Sequence, residues 1–123
     1  MFETIQWRCH VHANDRRSAE RVVGRLVARL DRPLEIENYE RYCKFPELAV
    51  LRLVSPLRCP APEHALMTVL ECAWKIATPW SLSSQGSSTH HEFEGIAAAN
   101  IGARFSVPGI EWMEFRVTDR PVT

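Results

Sequence analysis

His10 and His12 stand two residues apart in a stretch where polar and apolar residues alternate, and His90 and His91 are adjacent. On a strand, imidazoles at that spacing point the same way, which suits two ligands of one metal ion. Adjacent His90 and His91 point to opposite faces, so only one of them can join such a set. No carboxylate lies near His10 and His12 in sequence, although Glu92 could orient an imidazole through space. The simpler reading is a solvated or partner-facing sheet surface, with no metal and no cofactor. Cysteine–histidine catalysis needs a thiolate held beside a base. Cys9 precedes His10, but alternation sends the two to opposite faces and leaves Cys9 in the core. Cys72 falls beside an apolar helical stripe, and Cys43 and Cys59 lie in less regular stretches. No catalytic residue is therefore expected.

Three further groups have chemistry to offer. Arg17, Arg21, Arg25 and Arg29 recur every fourth residue, a row able to grip phosphates or an acidic partner but also the ordinary solvated face of a helix. Glu92, Glu94, Glu111 and Glu114 cluster near the C-terminus, where an acidic edge would steer a basic partner. Trp112 alternates with Glu114 and Arg116, opposite the apolar positions. An outward tryptophan among charges fits an interface anchor, and equally one covered by a neighbouring strand or the C-terminal tail. The candidate partner surface is thus Arg8, His10, His12, Glu92, Glu94, Glu111, Trp112 and Glu114. Gly86, Gly95, Gly102 and Gly109 are too scattered to cradle a phosphate, and no nucleotide-binding loop is present.

The elements that position these residues are legible from periodicity. Ile5, Trp7, Cys9 and Val11 alternate with Gln6, Arg8, His10 and His12, which predicts a strand with one buried face. Asn14 or Asp15 then caps a helix to about Leu30, with Ala19, Val22, Val23, Leu26, Val27 and Leu30 as its stripe and Pro33 closing it. Residues 34–45 read as a partly exposed strand and residues 48–54 as a central one, joined around Pro46. Pro62 opens a second helix over residues 62–77, burying Leu66, Val69, Leu70, Ala73 and Ile76 or Ala77. Beyond Thr78-Pro79, residues 80–85 and 89–98 predict a hairpin about Gly86-Ser87-Ser88. A turn at residues 100–102, a short strand at 104–107, a Pro108-Gly109 turn and a last strand at 110–117 follow. This order predicts one α+β domain over residues 1–123, a ferredoxin-like two-layer sandwich in β-α-β-β-α-β order. Two helices cover one face of a mainly antiparallel sheet that extra C-terminal strands extend.

The 123 residues carry 15 Lys and Arg against 15 Asp and Glu, and 46% are hydrophobic. That balance argues against a general nucleic-acid binder and against disorder. It conceals an offset: residues 1–62 hold 11 basic and 8 acidic side chains, and residues 63–123 hold 4 and 7. No run is long enough to span a bilayer, and residues 1–11 interleave Glu3, Gln6 and Arg8 with apolar residues, unlike a signal peptide. A cytoplasmic chain with reduced cysteines and no membrane partner is the expectation.

Residues 93–115, FEGIAAANIGARFSVPGIEWMEF, have a further character. The Phe-x-Gly-Ile-Ala element, a turn, and Arg-Phe-x-Val-Pro-Gly-Ile-x-Trp-x-x-Phe resemble small bacterial proteins encoded beside polymorphic toxins. They are similar in particular to immunity proteins of contact-dependent growth inhibition systems. The resemblance implies a non-enzymatic cytoplasmic protein that neutralises a cognate toxin domain, often a nuclease, by occluding its active or substrate-binding site. It carries no contact residues with it. On that reading recognition draws on local patches and not on bulk charge, without direct nucleic-acid contact, and a homodimer stays open. Two other readings stand beside it. One is a small dimeric ferredoxin-like enzyme, resembling cofactor-independent monooxygenases, with His10, His12 and tryptophans lining a pocket between helices and sheet. The other is a ligand-sensing module.

Overall fold

A computed structural model describes residues 1–87 and 89–119. The elements in chain order are β1 (Phe2–His12), α1 (Arg16–Leu30), β2 (Glu35–Arg41), β3 (Leu48–Cys59), α2 (Pro62–Ile76), β4 (Ala77–Thr78), β5 (Ser81–Gly86) and β6 (His91–Ala98). A 3-10 turn (Ala99–Ile101), β7 (Arg104–Phe105) and β8 (Ile110–Thr118) complete them. Six strands form one sheet in the order β2-β3-β1-β8-β6-β5, and β4 and β7 form a separate two-stranded pair. Every neighbouring pair is antiparallel. The architecture is therefore α+β, with two helices and an antiparallel six-stranded sheet. The last strand in sequence, β8, is inserted at the centre beside β1, while the earlier β6–β5 hairpin extends one edge. Ser88, expected in that hairpin's turn, lies outside the described residues.

Alternation in β1 sends Ile5, Trp7, Cys9 and Val11 into the core beneath the helices, each at most 2% exposed. Ala49, Leu51 and Leu53 of β3 and Met113, Phe115 and Val117 of β8 continue that layer. Asp15 is the N-cap of α1: its carboxylate accepts from the Ser18 backbone N–H at 2.8 Å, and the Ser18 hydroxyl closes the reciprocal contact. These bonds hold the Asp15 carboxyl below its usual range. The helix ends at Asp31, in the left-handed conformation at φ 54°, before Pro33 is reached. Val27 is only partly buried.

Helix α2 is rotated from the expected stripe. Ala65, Val69, Cys72, Ala73 and Ile76 face inward, and Leu66 and Leu70 are only partly buried. Small residues on the inner face let the helix backbone lie close to the sheet, so the larger leucines move to its flanks. Its C-terminal end is closed by side chains from elsewhere. Trp80 Nε1 donates to the Ala73 and Ala77 carbonyls at 2.9 and 2.8 Å, and Arg29 Nε donates to the Lys75 carbonyl at 3.1 Å.

Gly95 sits where β6 crosses the Phe115 ring. A Cβ there would lie 2.6 Å from Phe115 Cζ, closer than real contacts, and 3.0 Å from Leu82 Cδ2, a tight one. The ring is fully buried and flanked by Trp7 and Trp80, so it has nowhere to move. Gly95→Ala is expected to cost about 1–3 kcal/mol by overpacking, read from the midpoint of urea unfolding. An unchanged midpoint would show that the ring yields freely.

Candidate functional site

The helices cover one face of the sheet, and the other carries every side chain of the candidate partner surface. Register explains this. Residues paired across antiparallel strands project to the same side, and His10 pairs with Trp112, Arg8 with Glu114, and Gln6 with Arg116. Arg116 pairs in turn with Glu94, and Glu114 with Ile96. Glu111 joins them because the register shifts between His10 and Val11, which pair with Trp112 and Ile110. The extra residue turns Glu111 toward His12, and Glu111 Oε1 lies 2.9 Å from His12 Nε2.

The expected acidic edge is not free. Arg116 lies 3.4 Å from Glu92 and 2.9 Å from Glu94, and Arg8 lies 3.8 Å from Glu114. Two arginines thus neutralise three of the four clustered carboxylates, leaving a middle band of alternating sign. These pairs are substantially solvated and contribute little stability; they fix the charge pattern presented to a partner. Arg8 also places its guanidinium 5.1 Å from the Trp112 ring centroid.

At the β2–β3 end of this face the rings form a ladder that sequence patterning did not reveal. Trp112 stacks on His10 at 4.6 Å, His10 lies 4.6 Å from Tyr42, and Tyr42 stacks on Phe45 at 5.9 Å. Tyr42 and Phe45 belong to the turn after β2, which is folded back by the Tyr42 N–H to Leu48 carbonyl and Leu48 N–H to Phe45 carbonyl bonds, at 2.9 and 2.8 Å. The one visible signal was two aromatic residues three apart beside a proline. Together with His12, Glu47 and Glu111 the rings line an open cleft of about 550 Å³.

The His10 imidazole, wedged between two rings, is held below its ordinary 6.5 by burial and then by the Arg8 charge. Above pH 6.5 both folded and unfolded chains hold it neutral. As pH falls through that value the unfolded chain takes the proton first, so stability declines until the folded-state value is passed. The melting temperature of the wild type should therefore fall more steeply from neutral pH toward mildly acidic pH than that of His10→Gln. Equal slopes would show that burial of His10 carries no linkage.

The remaining candidates are placed elsewhere. Cys9 is buried and its thiol is pushed up to about 12, so no thiolate forms near neutral pH. Cys72 is buried, Cys59 half-buried and Cys43 exposed, and all four cysteines are free. Cys43, in a stretch whose sequence showed no regular pattern, is carried outward by the β2–β3 turn. His90 and His91 lie at the far end of β6, 3.8 and 3.7 Å from the Asp119 carboxylate. Among the described residues no group of three or more His, Cys, Asp or Glu side chains is arranged to hold a metal ion. In the arginine row, Arg29 caps α2, while Arg17, Arg21 and Arg25 are exposed and make no ion pair among the described residues. No helix among the described residues is long and apolar enough to cross a membrane.

A scan against protein-family models returned no match, and searches of curated proteins and of solved structures returned none either.

Proposed function

We propose that this chain is an immunity protein that neutralises a cognate toxin domain, docking it on the uncovered face of the sheet. The observation that carries the reading is the gathering of Arg8, His10, His12, Glu92, Glu94, Glu111, Trp112 and Glu114 on that one face, as a charge-alternating band ending in an aromatic cleft. Such a surface has the composition of a protein interface, with aromatic anchors inside and polar groups around them. The resemblance over residues 93–115 adds to it, and packing explains much of that stretch. Gly95 and Phe115 interlock, and Gly109 turns the chain at φ 94°. Trp112, by contrast, is set on the open face.

The order β2-β3-β1-β8 over four neighbouring strands supports a ferredoxin-like sandwich, with the β6–β5 hairpin as its extension. The toxin reading places the chain in the cytoplasm, where its partner would act.

The test is growth protection against a toxin encoded beside this gene. Co-expression of the chain should restore growth and yield a stable one-to-one complex. Absence of both protection and complex removes the reading. A second reading, a small-molecule enzyme or sensor, is favoured by the cleft volume, which falls within the roughly 300–1,000 Å³ of ligand sites. Its row of His10, His12 and Trp112 lies on the face away from the helices, and not between helices and sheet as that reading expected. Turnover of a small aromatic compound by a homodimer would establish it over the first.

A further inference from the structure

We infer that the aromatic cleft is the receptor for an arginine side chain of the protein partner. This rests on the protein-binding reading above and names the chemistry of its central contact.

The cleft has the wrong charge to be neutral filler. Its lining includes the carboxylates of Glu47 and Glu111 but no lysine or arginine; Glu111 Oε1 already meets His12 Nε2 at 2.9 Å, while Glu47 makes no ion pair among the described residues. His10 stays uncharged near neutral pH because burial and Arg8 oppose its protonation. The carboxylates compensated by arginines lie outside the lining, on the middle strands. The occupant that complements this site is therefore cationic. Its walls are the rings of Trp112, His10, Tyr42 and Phe45, which stack on one another in that order, so the flat surface left for an occupant is that of Phe45, 50% exposed at the end of the ladder. A guanidinium is planar, stacks on aromatic surfaces and donates in a fork that matches a carboxylate. A lysine ammonium is a compact, strongly hydrated charge that gains less from flat walls. The molecule already contains the pairing in miniature: the Arg8 guanidinium lies 5.1 Å from the Trp112 ring centroid, outside the cleft lining. The cleft is open and lies on a broad sheet face, so an arginine on a folded partner can reach it without either chain opening.

The test uses the full chain and needs no toxin. N-acetyl-L-arginine methylamide is titrated while the Trp112, Tyr42 and Phe45 ring resonances are followed by NMR. N-acetyl-lysine methylamide and N-acetyl-tryptophanamide serve as comparison probes. The arginine probe should give saturable shifts confined to the cleft and bind more tightly than either comparison probe. In the double variant Glu47→Gln, Glu111→Gln its affinity should fall about tenfold or more, the loss of a charge-assisted hydrogen bond. Both side chains are exposed, so this variant should keep the wild-type unfolding midpoint. Absence of saturable shifts overturns the inference, as does equal or tighter binding of either comparison probe, or affinity unchanged in the double variant. If the probe behaves as expected but growth protection fails, only the toxin reading falls. If protection holds and the probe does not bind, only the arginine assignment falls.

Discussion

Trp7→Ala is expected to destabilise the chain by about 3–5 kcal/mol, the range for deleting a large aromatic side chain from a packed core. Trp7 is 2% exposed, between Leu53 of β3 and Phe115 of β8 on the helix side of the central strand. It meets Phe115 edge-on, with centroids 5.9 Å apart and planes at 70°. Its indole N–H donates to the Ser55 hydroxyl at 3.2 Å, and Ser55 is itself 1% exposed. Alanine would leave a cavity and also strand a buried hydroxyl, so two penalties add. Trp7→Phe should recover much of the packing but still leave Ser55 without its donor. Adding Ser55→Ala to that variant should then return stability, since removing both partners costs less than removing one. Urea unfolding measures all three. A loss below about 1 kcal/mol for Trp7→Ala would mean that the core collapses around the gap.

The second large effect concerns binding. In the complex proposed above, Trp112→Ala should weaken toxin binding by about 2–4 kcal/mol, the range of a central aromatic anchor. The indole does three things on the open face: it stacks on His10, lies beside the Arg8 guanidinium and walls the cleft. Truncation removes the wall and frees Arg8 and His10 to reorient, so the loss should appear mainly as faster dissociation. Trp112→Phe should retain part of the affinity. The comparison is made on chains whose melting temperatures agree, because Trp112 lies outside the buried core. An alanine variant that binds like wild type would move the interface off this face.

Strand and helix identities were largely written in the spacing of apolar residues. The β1 alternation placed Cys9 inward and His10 outward, and the carboxyl-terminal alternation set Trp112 against Phe115. Misreadings arose where local pattern and packing compete. In α2, Leu66 and Leu70 are the more hydrophobic choices, yet Ala65 and Cys72 face the sheet because close approach favours small side chains. The acidic cluster was visible as composition, while its neutralisation by Arg8 and Arg116 depends on cross-strand register.

The sequence alone determined which face of each strand is apolar, because period-two patterning is a local property that burial of one face enforces. It therefore also determined that Arg8, His10, His12 and Trp112 point away from the core. Only the tertiary structure decided which strands lie side by side, since pairing β8 with β1 joins residues about a hundred positions apart and no local pattern encodes that choice. That pairing, with the shifted register at Glu111 and the fold-back of Tyr42 and Phe45, turned separate aromatic and charged residues into one cleft.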